Sequence, residues 1–355
     1  MKSPNSLDIA RTALVDIEAD QAALADSLRE LDARYGEAKV REKLEALRHH
    51  GNAIDDPQLW LRVALAHDFK YMPIERVEKC PCGSRESTLL CHFVFWNLLG
   101  LRQCHVCRLV FVSPRLARQA VSRLFNEFYF SDSGPEFWDR RRIPIFKDIL
   151  RLLRRCGCRS VFDVGAAFGN FLAMATKEGI EAAGCDISEA AVKWGREKLG
   201  VNLYPGTLAE LGLPANSVDC VVSLDTFYYV ADPLAELRAM RRVVKPGGYV
   251  ILRLRNSLLT VARAKHRGKK PVGRAVIPAQ HLWAFTPETA ANLFRLCDFE
   301  VKACEPAAYS RTLLTPFDAL VVKASRLLAG PRLRWPILTA GFNIVGQRKC
   351  SLSPG

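Results

Sequence analysis

From residue 160 onward the chain alternates short apolar runs with amphipathic helical segments, and no other feature of the sequence limits the fold as much. "SVFDV" (160–164) is a β-rich run that enters a glycine-bearing turn and then the helical "GNFLAMATKEG". "EAAGCDI" reads as a strand, "SEAAVKWGREKLG" as a helix capped by Ser188 and stopped by Gly200, and "VNLY" as a strand. Further on come "DCVVSL", the helix "DPLAELRAMRRVV", the turn "KPGG" and the strand "YVILRL". This succession predicts an α/β protein with a doubly wound, Rossmann-like sheet carrying helices on both faces. Ligands of such sheets lie outside the carboxyl ends of the strands, so the turn after "SVFDV" is the first candidate binding element.

Glycine placement narrows the ligand. A dinucleotide fingerprint begun at Gly165 requires glycine at 167 and 170, where the chain has Ala167 and Asn170, so pyrophosphate is disfavoured. The turn instead offers Asp163, Gly165 and Gly169. A carboxylate at the strand end attracts an ammonium group, and the glycines let backbone approach a ligand closely. Asp186, which ends the second strand, is placed to accept both hydroxyls of a ribose. An amino-acid-type cation joined to a ribose describes S-adenosylmethionine.

Several stretches in order resemble the class I S-adenosylmethionine-dependent methyltransferases over roughly residues 155–305. They are "VFDVGAAFGNF", "GCDIS", "GTLAEL", "DCVVSLDTFYYVADP", "RRVVKPGGYVILR" and "HLWAFTPETAANLFRLCDFEV". The resemblance implies that Asp163, Gly165, Ala166, Ala167 and Gly169 surround the methionine part of the cofactor. It places Asp186 on the ribose with Ile187 against the adenine, Thr207 and Leu208 beside the base, and Asp225 and Thr226 beside the sulfonium. Two departures stand out: Ala166 and Ala167 occupy places where Cys or Gly are common, and Thr207 stands where an acid often reads the adenine amino group. The implied reaction is methyl transfer by in-line displacement, in which the protein contributes mainly orientation and desolvation.

On the acceptor side, Tyr228 and Tyr229 follow the fourth strand where many relatives carry an acid and a histidine, and His281 is the candidate general base. Arg253, Arg255 and Asn256 end the fifth strand, and the basic loop "RAKHRGKKPVGR" follows. These are candidates to clamp a phosphorylated or nucleotide-activated acceptor. The segment at 117–155 is expected to connect into the catalytic domain, its aromatics and arginines being candidates to line a substrate entrance.

Upstream, Cys80 and Cys82 precede Cys104 and Cys107 with an apolar hairpin between the pairs. Four thiolates close a tetrahedral site without an open position, which predicts a structural zinc ribbon over residues 73–116. The first pair is C-x-C instead of C-x-x-C, and Cys91, His92 and His105 lie close enough in sequence to substitute. Cys156 and Cys158 form a second C-x-C that reads as structural. A zinc ribbon ahead of such a catalytic domain resembles bacterial methyltransferases of sugar, surface-glycan and natural-product pathways. The expected acceptor is therefore a hydroxyl of a sugar, glycan or related small molecule.

Residues 1–72 read as a helical segment, with Ala10, Leu14, Ile17, Leu24, Leu28 and Leu31 on one stripe and Asp56 and Pro57 starting a further helix. Residues 1–60 contain eight Lys/Arg against twelve Asp/Glu, while the whole chain carries +14, so residues 61–355 hold a net +18. That excess suits an anionic partner and keeps RNA as a rival acceptor; a partner-binding module without turnover is the third alternative. The catalytic domain is expected over 156–350 with a helical insertion at 306–341. There Leu313, Phe317, Leu320, Val321, Ala324, Leu327 and Leu328 form one apolar face beside Lys323, Arg326 and Arg332, a candidate for peripheral membrane contact or a homodimer. "GFNIVGQRK" then reads as a closing edge strand. The acidic N-terminus and the absence of a long apolar run predict a cytoplasmic protein, and the twelve cysteines fit a reducing compartment.

Overall fold

The computed structural model describes residues 33, 74–93, 99–116, 135–258, 261–262, 281–308, 339 and 341–350. The leader helices of 1–72 apart from residue 33, the basic loop at 263–274 and the apolar face at 313–328 lie outside the described residues.

Seven strands build the central sheet: β6 (Ser160–Val164), β7 (Glu181–Asp186), β8 (Asn202–Pro205), β9 (Val218–Leu224), β10 (Val244–Arg255), β12 (Phe299–Pro306) and β13 (Gly341–Arg348). Their order is β12-β13-β10-β9-β6-β7-β8. β8, β7, β6, β9 and β10 pair in parallel, whereas β13 runs antiparallel to both β10 and β12. This is a mixed, Rossmann-like sheet. The chain reverses its order on either side of β6 and β9, which opens a crevice at their carboxyl ends.

Helices cover both faces because the parallel strands are apolar on both. On one side Phe162, Val164, Val221, Val250 and Leu252 pack against α4 (Pro233–Val243) and α5 (Pro287–Leu296). On the other, Val161, Cys220, Val222 and Ile251 meet α1 (Pro135–Arg155), α2 (Asn170–Lys177) and α3 (Glu189–Trp194). Local chemistry fixes the helix starts. Ser188 Oγ accepts from the Ala191 N–H, and Thr286 and Thr289 form a reciprocal capping box. The last turn of the Ser188 helix widens to a π-turn over Gly195–Leu199 before Gly200 stops it. Asp232 Oδ1 accepts from the N–H groups of Leu234 (2.9 Å) and Ala235 (3.0 Å). Asp232→Ala is expected to destabilise the protein by about 1 kcal/mol in denaturant melts, the usual cost of losing such a cap.

The strand at "GFNIVGQR" differs from its expectation. β13 is not an edge; it lies between β10 and β12, and β12 and β8 form the two edges. The first six residues of β13 are all buried, as a strand covered on both faces requires.

The cysteine-rich segment forms a second sheet from β2 (Ser87–Phe93), β3 (Leu99–Cys104) and β4 (Val110–Val112), and β1 (Ile74–Glu75) pairs with β5 (Arg115–Leu116) beside it. Its fourth strand comes from the other side of the expected domain boundary. β11 (Trp283–Ala284) pairs antiparallel with β4, Trp283 opposite Phe111 and Ala284 opposite Val110. The two regions also share one apolar core, in which Cys104, Leu109 and Phe111 pack with Tyr228, Trp283 and Phe285. No helix among the described residues is long and apolar enough to cross a membrane.

Candidate functional site

The carboxyl ends of β6, β7 and β9 bring the predicted cofactor residues together. After β6, Gly165 turns with φ +80°, Ala167 with φ +50° and Gly169 with φ +79°, and the N–H groups of Gly165 and Ala166 both donate to the Cys185 carbonyl of β7. Asp186, at the tip of β7, accepts from the N–H of Ala167 (2.8 Å) and of Ser188 (2.9 Å), so it ties the glycine turn to the start of α3. Burial pushes its carboxyl pKa up, and those backbone donors pull against the shift.

Asp163 is almost wholly buried, and its Oδ1 has no hydrogen-bond partner. Burial pushes its pKa up to about 7; the positive charge of Arg142 draws it down and the Asp186 carboxylate adds a smaller push upward. Arg142 belongs to α1, and nothing in the sequence singles it out. Its guanidinium donates to the Leu224 carbonyl (2.9 Å) and to Asp225 Oδ2 (3.3 Å), while its Nε is buried without a partner. An anionic and a cationic side chain thus approach the same crevice, each with polar capacity in reserve. That pairing suits the ammonium and carboxylate of an amino acid.

Asp225, in the left-handed region at φ +63°, is bracketed by Arg142 and by Arg253. Arg253 is itself buried and also donates to the Ala308 carbonyl (3.0 Å). Arg253, expected to clamp a substrate phosphate, thus gives its guanidinium to Asp225 and to backbone, as Arg142 does, and its Nε is likewise buried without a partner. Asn256 is likewise engaged, donating to the Thr339 carbonyl and accepting from the Leu258 N–H. Arg255 at the end of β10 is exposed. Thr226 sits directly over the glycine turn, its Oγ1 donating to the Gly165 carbonyl (3.2 Å). Among the residues expected beside the base, Leu208 is buried, Ile187 is half-buried, and Thr207 and Glu210 cap each other: the Thr207 N–H donates to Glu210 and the Glu210 N–H to Thr207 Oγ1.

Tyr228, Tyr229 and His281 gather into an aromatic wall. Tyr228 and His281 stack with centroids 4.0 Å apart, and Tyr229 meets both edge-on at 4.6 and 5.2 Å. Burial, aided by the Arg255 charge, pushes the His281 pKa down to about 3. A His281 ring with so low a pKa takes up a proton only weakly, which bears on its expected role as general base.

In the cysteine-rich module, Cys80, Cys82, Cys104 and Cys107 present their sulfurs within 4.8 Å of one another. The Cys80–Cys107 pair is 3.4 Å apart and the Cys82–Cys104 pair 3.6 Å, near the ~3.8 Å edge of a tetrahedron with Zn–S bonds of about 2.3 Å. The Cys80–Cys107 hydrogen bond couples the two thiols, pulling Cys107 below its ordinary value and pushing Cys80 above it. The donor set fits a zinc ion. Cys91 belongs to the buried interior of β2, and His105 Nε2 lies 2.7 Å from Thr88 Oγ1, so neither belongs to the cluster. Cys156 and Cys158 line a cavity of about 210 Å³ with Asp219 and Lys245 at the opposite end of the sheet.

Residues 162–252 match the family model described as a methyltransferase domain. The chain is 30% identical over 123 residues to a probable S-adenosylmethionine-dependent methyltransferase of Mycolicibacterium smegmatis, covering 34% of this chain and 47% of the relative. It is 26% identical over 203 residues to a ubiquinone biosynthesis O-methyltransferase of Cereibacter sphaeroides, covering 55% of this chain and 68% of the other. It is 36% identical over 111 residues to a demethylmenaquinone methyltransferase of Listeria welshimeri, covering 29% and 47%. The chain thus spans about half the length of the first of these relatives. Its central segment is similar to methyltransferase domains, several of them in proteins named as S-adenosylmethionine-dependent.

Proposed function

We propose that this protein transfers a methyl group from S-adenosylmethionine to a hydroxyl of a small biosynthetic intermediate. One observation supports the cofactor assignment: Asp163 Oδ1 and Arg142 Nε are each buried without a hydrogen-bond partner, and the Arg142 charge acts on the Asp163 carboxyl. In this reading Asp163 holds the ammonium and Arg142 the carboxylate of the methionine part. Asp186 takes the ribose, Ile187 and Leu208 flank the base, and Thr226 orders the glycine turn. When bound, the cofactor supplies a methyl group already activated by a sulfonium.

The chain's own contribution is then orientation and exclusion of water. Tyr228, Tyr229 and His281 present flat apolar surface to the acceptor. His281 can position a hydroxyl but is too weakly basic to ionise an alcohol. Acidic hydroxyls such as phenols, with pKa near 10, therefore suit the site better than sugar alcohols. The relative named as a ubiquinone biosynthesis O-methyltransferase supports transfer to oxygen. A sugar or glycan hydroxyl, activated or phosphorylated, is the second acceptor class, and exposed Arg255 is what remains to receive its phosphate. Cys80, Cys82, Cys104 and Cys107 would hold a zinc ion whose contribution is structural, because four protein ligands leave no position for substrate.

The test is incubation of the full chain with labelled methyl donor and separate pools of phenols, nucleotide-sugars, glycans and RNA. Label is expected most strongly in the phenols. Label in RNA alone would overturn the acceptor class, and binding of S-adenosylhomocysteine with no label in any pool would favour a binding module.

A further inference from the structure

The cysteine-rich module is joined to the aromatic wall by a continuous run of bonds. The Val112 N–H of β4 donates to the Leu282 carbonyl (3.0 Å), and the Leu282 N–H donates to the Tyr228 carbonyl (2.9 Å). One residue further, Trp283 is at the centre of the junction. Its Nε1–H donates to the Val230 carbonyl (2.6 Å), its ring meets Phe111 at 6.2 Å, and the Arg115 guanidinium lies over it at 5.3 Å. Arg115 is buried, pairs with Glu75 at 2.7 Å, and reaches the Ala231 carbonyl at 3.4 Å. Cys80, Cys104 and Cys107 belong to the same packed core as Tyr228, Trp283 and Phe285.

We propose that the four-cysteine centre positions the acceptor side of the site, with Trp283 as the positioning residue that carries its order to Tyr228–Val230 and His281. This rests on the reading above that the Tyr228–Tyr229–His281 wall faces the acceptor. The physical reason is one of scale. β4 is three residues long and β11 two, so neither holds its geometry alone; the module is too small to supply a core without its metal. Removing the metal leaves β11 without a firm partner strand and the 227–230 turn without the backbone donor of Leu282. The cofactor side is anchored differently. Asp163 and Asp186 sit on β6 and β7, which pair with each other; one face of these strands packs on α2 and α3, and the other shares the core of the cysteine-rich module without a hydrogen bond to it among the described residues. The hydrogen bonds among the described residues run from the cysteine-rich module to the acceptor wall and reach the glycine turn only through Thr226, so losing the metal is expected to loosen the wall far more than the cofactor side.

The experiment uses the full zinc-loaded chain, with zinc counted by a colorimetric chelator, S-adenosylhomocysteine affinity by calorimetry and amide hydrogen exchange by mass spectrometry. Cys107→Ser is expected to lose zinc, to speed exchange at 227–230 and 281–284 at least tenfold, and to keep S-adenosylhomocysteine affinity within threefold. Cys107→His, which restores a zinc ligand, is expected to recover both the metal and the slow exchange. Trp283→Phe keeps the ring and the strand but removes the Nε1 donor. It is expected to retain zinc and cofactor affinity while speeding exchange at 227–230 about tenfold. Unchanged exchange at 227–230 in Cys107→Ser or Trp283→Phe would overturn the proposal, as would a parallel collapse of S-adenosylhomocysteine binding. Failure of the unaltered protein to bind S-adenosylhomocysteine would instead overturn the methyltransferase reading, and the exchange data would still decide the coupling.

Discussion

Asp163→Asn is expected to weaken S-adenosylhomocysteine binding about 100-fold at pH 8, a loss of about 2.7 kcal/mol. The substitution keeps volume and burial but removes the charge that faces the ligand's ammonium. In the unaltered protein the Asp163 pKa of about 7 makes binding depend on pH. Above pH 7 the carboxylate is ionised and ready, whereas below it the proton competes with the ligand. Affinity measured by calorimetry is expected to fall about tenfold per pH unit from pH 7 to pH 5, while the Asn variant shows a flat profile. The ligand-free protein should show the opposite trend in stability. A buried carboxyl raised above its unfolded value contributes stability that is present below about pH 4 and lost as pH rises through about 7. The ceiling on that contribution is about 4 kcal/mol, since each tenfold change in proton affinity is worth about 1.4 kcal/mol. Asp163→Asn should therefore melt higher than the parent at pH 8 without ligand, even as it loses the ligand. A variant that binds normally, or a parent profile that is flat from pH 5 to 8, would sink the assignment of Asp163.

Gly165→Ala is the second large effect expected. A Cβ at this position would lie 2.2 Å from Thr226 Cγ2 and 2.4 Å from Thr226 Oγ1, and the φ of +80° is one that side chains resist. The dihedral share of the cost is about 1–2 kcal/mol. Crowding against Thr226 adds about 1–3 kcal/mol. Cofactor binding should vanish with the displaced turn, because Thr226 also holds the Gly165 carbonyl. The double variant Gly165→Ala/Thr226→Gly removes the crowded atoms but not the dihedral strain. Urea titration should show it recovering the packing share alone, a coupling that separate sites would not produce.

The parts of this site that are legible in the sequence are those where one local pattern carries the message. Asp163 and Asp186 each end an apolar run, and a carboxylate at the tip of a buried strand has few purposes other than a ligand. The two pairs of cysteines are legible for the same reason, since spacing alone restricts what four thiols can do. Arg142 is not, because it lies on a helix whose pattern reports only an apolar face. Its partner carbonyl on Leu224 lies 82 residues away, and no local signal marks that meeting. The pairing of Arg253 with Asp225 is hidden for a related reason, since the two residues lie on different strands of the succession. β13 reads as an edge because it is the last strand in the succession. "GFNIVG" carries no charge at all, which is the mark of a strand with neighbours and cover on both sides. β11 is only two residues long and offers no periodicity to detect.

The borrowed strand also sets the order in which the protein can be completed during synthesis. The four cysteines leave the ribosome early and can close around a metal while most of the catalytic sheet is still untranslated. The outer edge of β4, however, has no partner until Trp283 and Ala284 emerge. Through that interval the nascent chain carries an open, apolar β-edge, the kind of surface on which neighbouring chains stick to one another. A chain cut between the two regions would keep that edge permanently, so the cysteine-rich module and the central sheet complete their folding as one unit.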